Sequence, residues 1–291
     1  MADIKPTATA AVKTTTSARP KQSSSSNVIS LVAPIVCLVL GYVVWRFFLG
    51  SPANFSKPDL DASHWFWPDQ QGSKSAFVKM YQGGILVPVI IAFLFIVITF
   101  IIERFLTINK ASGTGDISEF IRKVQFCLAN KEVDKAIAEC DKQKGSVGNV
   151  MKAGLRRYKD MIINTELTTE QKIVGIQKEV EEATALELPM LEKNLVFLST
   201  IASVATLLGL LGTVMGMIRS FSKMGDEGGG DAARQLSQGI SEALFNTALG
   251  ISTSAIAIIF YNIFTTKIDA VTFGIDESGF TLTQSFAANY K

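Results

Sequence analysis

Four long stretches of this sequence are almost free of charge. They cover residues 28–49, 85–102, 195–218 and 236–264, and their only charged side chains are Arg46 and Glu242. Each matches the roughly 20 apolar residues that carry a helix across a hydrocarbon core. Only helices and closed barrels satisfy their backbone inside lipid, and barrel strands alternate polar with apolar residues. These runs do not alternate, so the sequence reads as an all-α integral membrane protein with four transmembrane helices. The charged fraction of 19% and the mean hydropathy of +0.29 point the same way. Ordinary globular domains carry about 25% charge. A soluble globule, a disordered chain and a collagen-like fibre are excluded.

The rest of the composition removes other classes. A net charge of +2 leaves no footprint for nucleic acid. Cys37, Cys127 and Cys140 give no disulfide framework, and the single histidine, His64, excludes a multi-histidine metal site. There is no Walker loop, no Gly-x-Ser-x-Gly elbow and no HExxH. No cofactor and no enzymatic activity are expected.

Charge asymmetry orients the spans. Residues 1–27 form a Ser/Thr/Ala/Lys-rich tail with four basic residues and one acidic, too polar to fold. The run 28–49 is too long for a signal h-region and no clear A-x-A site follows it, so it reads as a retained anchor. By the positive-inside rule the tail is cytoplasmic and residues 50–84 lie outside. The second span, 85–102, returns. Residues 103–194 form a helical cytoplasmic region, 195–218 a third span, 219–235 a short outer turn and 236–264 a fourth span. The tail 265–291 is cytoplasmic. The aromatic cluster at His64, Trp65, Phe66 and Trp67 suits an interfacial belt, with a surface helix before Gly83-Gly84. Asp116 with Glu119, and Thr168 with Gln171, are spaced as capping boxes. Phe120, Val124, Cys127 and Leu128 recur at helical spacing as core positions. From Thr169 one helix of about 50 residues is expected to run into the third span, with Pro189 as a kink.

Glu242 is the one carboxylate inside a span. At a helix centre it costs roughly 2.5–3.5 kcal/mol on insertion scales. Two placements are open. A helix starting near Ser241 leaves Glu242 in its first turn, at the interface. One starting at Asp231 carries it into the bilayer, where a carboxyl can load and release a proton. Asn246 and Gly250 follow at i+4 and i+8, flanked by Thr247 and Thr253. The third span carries Ser199, Ser203, Thr206 and Thr213, together with Gly212-x-x-x-Gly216, a spacing that lets helix backbones approach closely.

Two segments carry a resemblance. Gly209-Leu210-Leu211-Gly212-Thr213-Val214-Met215-Gly216 and Ile240-Ser241-Glu242-Ala243-Leu244-Phe245-Asn246-Thr247-Ala248-Leu249-Gly250 resemble the "GLxGTVxG" and "IxEALxxTAxG" segments of the MotA/TolQ/ExbB proton-channel family, with ExbB and TolQ nearest. The likeness covers about residues 80–270. It implies an oligomeric bundle, a homopentamer, around a central pore lined by the last two spans. It places the pore carboxylate at Glu242 and the pore threonines at Thr213 and Thr247. Asn246 joins them in the expected ion pathway, with Gly209, Gly212, Gly216 and Gly250 as packing positions. The implied partners are an ExbD/TolR-like single-span dimer in the pore, a TonB-like periplasm-spanning protein and the lipids of the inner membrane. The implied function is a proton-channel subunit that uses proton-motive force to drive TonB-dependent outer-membrane transport. The alternatives are TolQ-like envelope maintenance, a motor stator, or a non-conducting membrane scaffold. This sequence departs from the family at two points. Thr206 stands where a proline is common, and an extra N-terminal span is added to the usual three.

Overall fold

The computed structural model describes residues 24–57, 71–73, 79–226 and 232–290. Residues 1–23 of the expected tail, the cluster at residues 64–67 and the glycines at 228–230 lie outside the described residues. Helix α1 spans Ser24–Val43 and continues as a π-helical turn, Val44–Leu49. A 3-10 turn, Pro52–Asn54, leads into β1, Phe55–Lys57, which pairs antiparallel with β2, Gln71–Ser73, Phe55 opposite Ser73. This small ribbon, absent from the sequence reading, precedes the one-turn helix α2, Lys79–Gln82, and the long α3, Leu86–Ser112. Then come α4, Ile117–Ala129; α5, Val133–Gln143; α6, Gly145–Ile163; α7, Thr169–Glu192; α8, Leu195–Asp226; and α9, Ala232–Asn289.

Among the described residues, four helical stretches are long and apolar enough to cross a membrane, within residues 32–49, 86–129, 169–222 and 236–289. Helix α3 is their centre. Val87, Ile90, Ala92, Val97 and Phe100 on it are wholly buried. One side takes α1, where a Cβ on Gly41 would stand 2.8 Å from the Ala92 Cβ. On the other side Phe100 stacks on Phe197 of α8 with centroids 4.9 Å apart. The outer face of α1 shows Ile35, Val39 and Phe48 to its surroundings, as a helix in lipid should.

Helices α4–α7 pack on one another and on α9 as a small helical domain. Phe120, Val124 and Leu128 are buried in it, with Cys127 at its margin. Thr168 and Gln171 make a full capping box, the hydroxyl accepting from the Gln171 N–H and the Gln171 side chain from the Thr168 N–H. Asp116 caps α4 differently, accepting from the Ser118 N–H, with Glu119 instead paired to Lys123.

Three expectations are corrected. The single helix from Thr169 is two helices, parted at Lys193 and Asn194. Pro189 sits in the last turn of α7, and Asn194 takes φ 66°, a left-handed conformation that asparagine tolerates. The segment 265–291 is not a detached tail: α9 runs on to Asn289, a helix of 58 residues, roughly 87 Å at 1.5 Å per residue. Phe264, Ile268, Val271, Ile275, Leu282 and Phe286 bury one face of that extension in the α4–α7 domain. The expected outer turn 219–235 is shorter too, because α8 is helical to Asp226 and α9 from Ala232.

Candidate functional site

Helices α8 and α9 are antiparallel neighbours packed through glycine. A Cβ on Gly209 would lie 3.2 Å from the Gly250 Cα, and one on Gly250 2.6 Å from the Ala205 carbonyl oxygen. One turn along, a Cβ on Gly212 would lie 2.7 Å from the Asn246 Cβ. Beyond it, one on Gly216 would lie 2.6 Å from the Ala243 Cβ. Further still, Gly239 takes the buried Ser220 side chain against its backbone. Small residues on both helices thus bring the two backbones together along about four turns, the close approach that membrane helices use in place of a hydrophobic drive.

That approach brings two hydroxyls into contact. Thr213 and Thr247 touch across the seam. The Thr247 hydroxyl lies 2.9 Å from the Gly209 carbonyl oxygen and the Thr213 hydroxyl 3.3 Å from it. Two hydroxyl protons serve three contacts, and each hydroxyl donates only one. The shorter carbonyl contact orders them as a chain: Thr213 donates to Thr247, and Thr247 donates to Gly209. Both side chains are half-buried, so the chain is open at one side.

Glu242 lies on α9 ten residues after Ala232, so a helix start near Ser241 does not hold. It is half-buried. Five residues separate it from Thr247, about 7.5 Å along the axis. The next residue, Ala243, is wholly inside the α8 contact. Asn246 is not brought to the threonines. It is buried, and its carboxamide donates to the Gly83 carbonyl at 3.0 Å. Thr253 is buried and donates to the Leu249 carbonyl of its own helix. Thr206 donates within α8, to the Ala202 carbonyl at 3.5 Å.

A second polar cluster, unread in the sequence, joins the spans to the domain. Arg104, 2% exposed at the end of the α3 span, donates to the Leu191 carbonyl at 3.0 Å. Its Nε–Nη2 edge makes a bidentate pair with the Glu103 carboxylate, Nη2 at 2.6 Å and Nε at 2.7 Å. Glu103 also accepts from the Asn194 carboxamide at 3.2 Å. The guanidinium caps the broken end of α7, and the carboxylate fixes the residue that breaks it. The adjacent Glu103-Arg104 at the edge of an apolar run was the available signal.

Residues 142–277 match the MotA/TolQ/ExbB proton channel family. The ExbB-like 3 biopolymer transport protein of Synechocystis is 42% identical over 87 residues, 29% of this chain and 41% of that protein. The Tol-Pal system protein TolQ of Pseudomonas aeruginosa is 28% identical over 178 residues, 56% of this chain and 77% of its own length. The biopolymer transport protein ExbB of Helicobacter pylori is 42% identical over 94 residues, 32% of this chain and 63% of its own. The chain spans less than half the length of the Synechocystis relative. Over residues 142–277 the chain matches the MotA/TolQ/ExbB proton channel family, alongside ExbB- and TolQ-named relatives, and it is a multi-pass membrane protein.

Proposed function

We propose that this chain is a proton-channel subunit of an energy-transducing complex in the inner membrane, with both termini in the cytoplasm. Glu242 binds and releases the proton. Thr213 and Thr247 line the path beside it, and the glycines of α8 and α9 hold the two helices at the separation the pair needs. Five copies surround a pore that holds an ExbD/TolR-like single-span dimer. The work is delivered through a TonB-like periplasm-spanning protein to an outer-membrane transport process. The Thr213–Thr247 contact carries this reading. A Thr247 hydroxyl that only packed would satisfy itself within its own helix, as Ser252 and Thr265 do. Thr247 instead bonds across the seam to the Gly209 carbonyl and touches the Thr213 hydroxyl.

Glu242→Gln tests it. The substitution keeps volume and polarity but cannot bind and release a proton. Proton flux through the subunit reconstituted with its ExbD/TolR-like partner should fall to background, with oligomer recovery unchanged. Undiminished flux would overturn the role. A TolQ-like service is the second reading, favoured by the long alignment to the Pseudomonas protein. Co-purification with a TonB-like rather than a TolA-like protein separates the two.

A further inference from the structure

We propose that Asn246 is a positioning residue, a peg by which the extra N-terminal helix seats the helix that carries Glu242. The inference rests on the reading of Glu242 given above and concerns what holds that residue in place.

Asn246 occupies a slot made by two missing side chains. On one side is Gly212, whose added Cβ would stand 2.7 Å from the Asn246 Cβ. On the other is Gly83, whose added Cβ would stand 2.5 Å from the Asn246 carboxamide oxygen. The Asn246 side chain is 2% exposed and its N–H bonds the Gly83 carbonyl. A group so enclosed, with its donor committed to backbone, fixes geometry and does not meet passing ions.

The other end of the contact is anchored in α1. Gly83 lies two residues from Tyr81, which is 4% exposed. Tyr81 stacks on Trp45 with centroids 4.4 Å apart and planes at 10°. Trp45 is wholly buried and its indole N–H donates to the Tyr81 carbonyl at 3.3 Å. Phe55 closes the cluster edge-on to Tyr81 at 5.5 Å. Trp45 belongs to the π-helical turn Val44–Leu49, and such turns recur at functional positions in helices. Gly50, which ends it, lies against the Tyr81 ring. A line of close contacts therefore runs from α1 through Trp45, Tyr81 and the Gly83 turn to Asn246, one helical turn from Glu242.

The test is hydrogen exchange on the full chain in lipid nanodiscs, for wild type, Asn246→Ala, Asn246→Leu, Trp45→Ala and the Asn246→Ala/Trp45→Ala double variant. Amides in residues 79–87 should exchange at least tenfold faster in Asn246→Ala. Asn246→Leu should match it, because an apolar side chain of the same branching has no N–H for the Gly83 carbonyl. The double variant should exceed neither single by more than about twofold, since residues in one contact chain are not additive. Wild-type protection of 79–87 in Asn246→Ala, or simple additivity, would overturn the proposal. Trp45→Phe, which keeps an aromatic ring but no indole N–H, serves if Trp45→Ala does not fold. In reconstituted complex, Asn246→Leu should lower flux as Asn246→Ala does, with the pH midpoint unmoved. A shifted midpoint would make Asn246 an ion-contacting group and overturn the proposal. Absence of flux in wild type would sink the channel reading alone, because the exchange result is obtained without the partner.

Discussion

Gly209 and Gly250 meet across the α8–α9 seam with no side chain between them, the Gly209 Cα 2.8 Å from where a Gly250 Cβ would stand. Nothing flexible lies there to yield. Gly250→Leu and Gly212→Leu should each force the backbones apart and destabilise the chain by about 1–3 kcal/mol, the usual cost of overpacking, or more. Gly175→Ala is the control. Its added Cβ would meet nothing nearer than 3.7 Å, and alanine in a helix interior gains roughly 0.5–1 kcal/mol over glycine. Thermal unfolding in mild detergent should rank the three in that order. A Gly250→Leu protein with wild-type stability and assembly would remove the seam from the account.

The threonine chain is directional, so its two members are unequal. Thr247→Val removes both the acceptor for Thr213 and the donor to Gly209. Thr213→Val removes only the outer link. The first should cost more stability than the second, the gap being about 1 kcal/mol, a typical net hydrogen bond. Thr247→Ser should restore most of it. Proton flux should follow the same order. Equal losses from the two valine variants would show that the hydroxyls do not form a chain.

The spans and the seam were legible for different reasons. Each span announces itself because lipid excludes charge, and Arg46 and Glu242 are the only charges across all four. The seam showed as Gly212-x-x-x-Gly216 because only small residues let helices touch. What stayed hidden depends on distant partners. Asn246 shares a helical face with Glu242 at i+4, and that spacing placed it in the ion path. Its slot is made by Gly83, 163 residues away, which no local pattern reveals. The break at Asn194 escaped for a similar reason: its carboxamide is held by Glu103. The extension of α9 to Asn289 was readable, since Phe264, Ile268, Val271 and Ile275 recur at three and four residues. Polar Thr, Asp and Ser between them masked the stripe.

Arg104 should be less replaceable than its lone position suggests. It serves a carbonyl and a carboxylate at once, and a lysine cannot hold both in a fixed fork. Arg104→Ala leaves Glu103 part-buried beside an uncapped helix end. Breaking a buried pair in this way costs about 3–5 kcal/mol, and the partial exposure of Glu103 puts the expectation at the lower end. Arg104→Lys should recover less than half. Release of the α7 end should open the chain at Lys193, so limited trypsin digestion should give a new cut there in both variants. No new cut in Arg104→Ala would show that the α7–α8 break is held by packing alone.

Cys127 and Cys140 lie in the same domain and should differ in chemistry. Cys140 is 2% exposed, and burial, reinforced by the neighbouring Asp141 carboxylate, pushes its thiol from an ordinary 9.0 up to about 12. The thiolate is the nucleophile, so Cys140 should resist maleimide at pH 8 while the half-buried Cys127 reacts. The same shift has a stability consequence with a definite sign. Between pH 9 and 12 the unfolded chain gives up the Cys140 proton and the folded chain keeps it. The unfolded state then binds fewer protons, so stability falls as pH rises through that window. It is unaffected by this group below pH 8. Cys140→Ala deletes the group and should flatten part of the alkaline loss, at the cost of a small cavity that lowers stability equally at every pH. Melting temperatures of wild type and Cys140→Ala, measured from pH 7 to 11 in the same detergent, should converge as pH rises. Parallel curves would show that Cys140 ionises as readily folded as unfolded, and rapid maleimide labelling of Cys140 at pH 8 would show the same by a separate route.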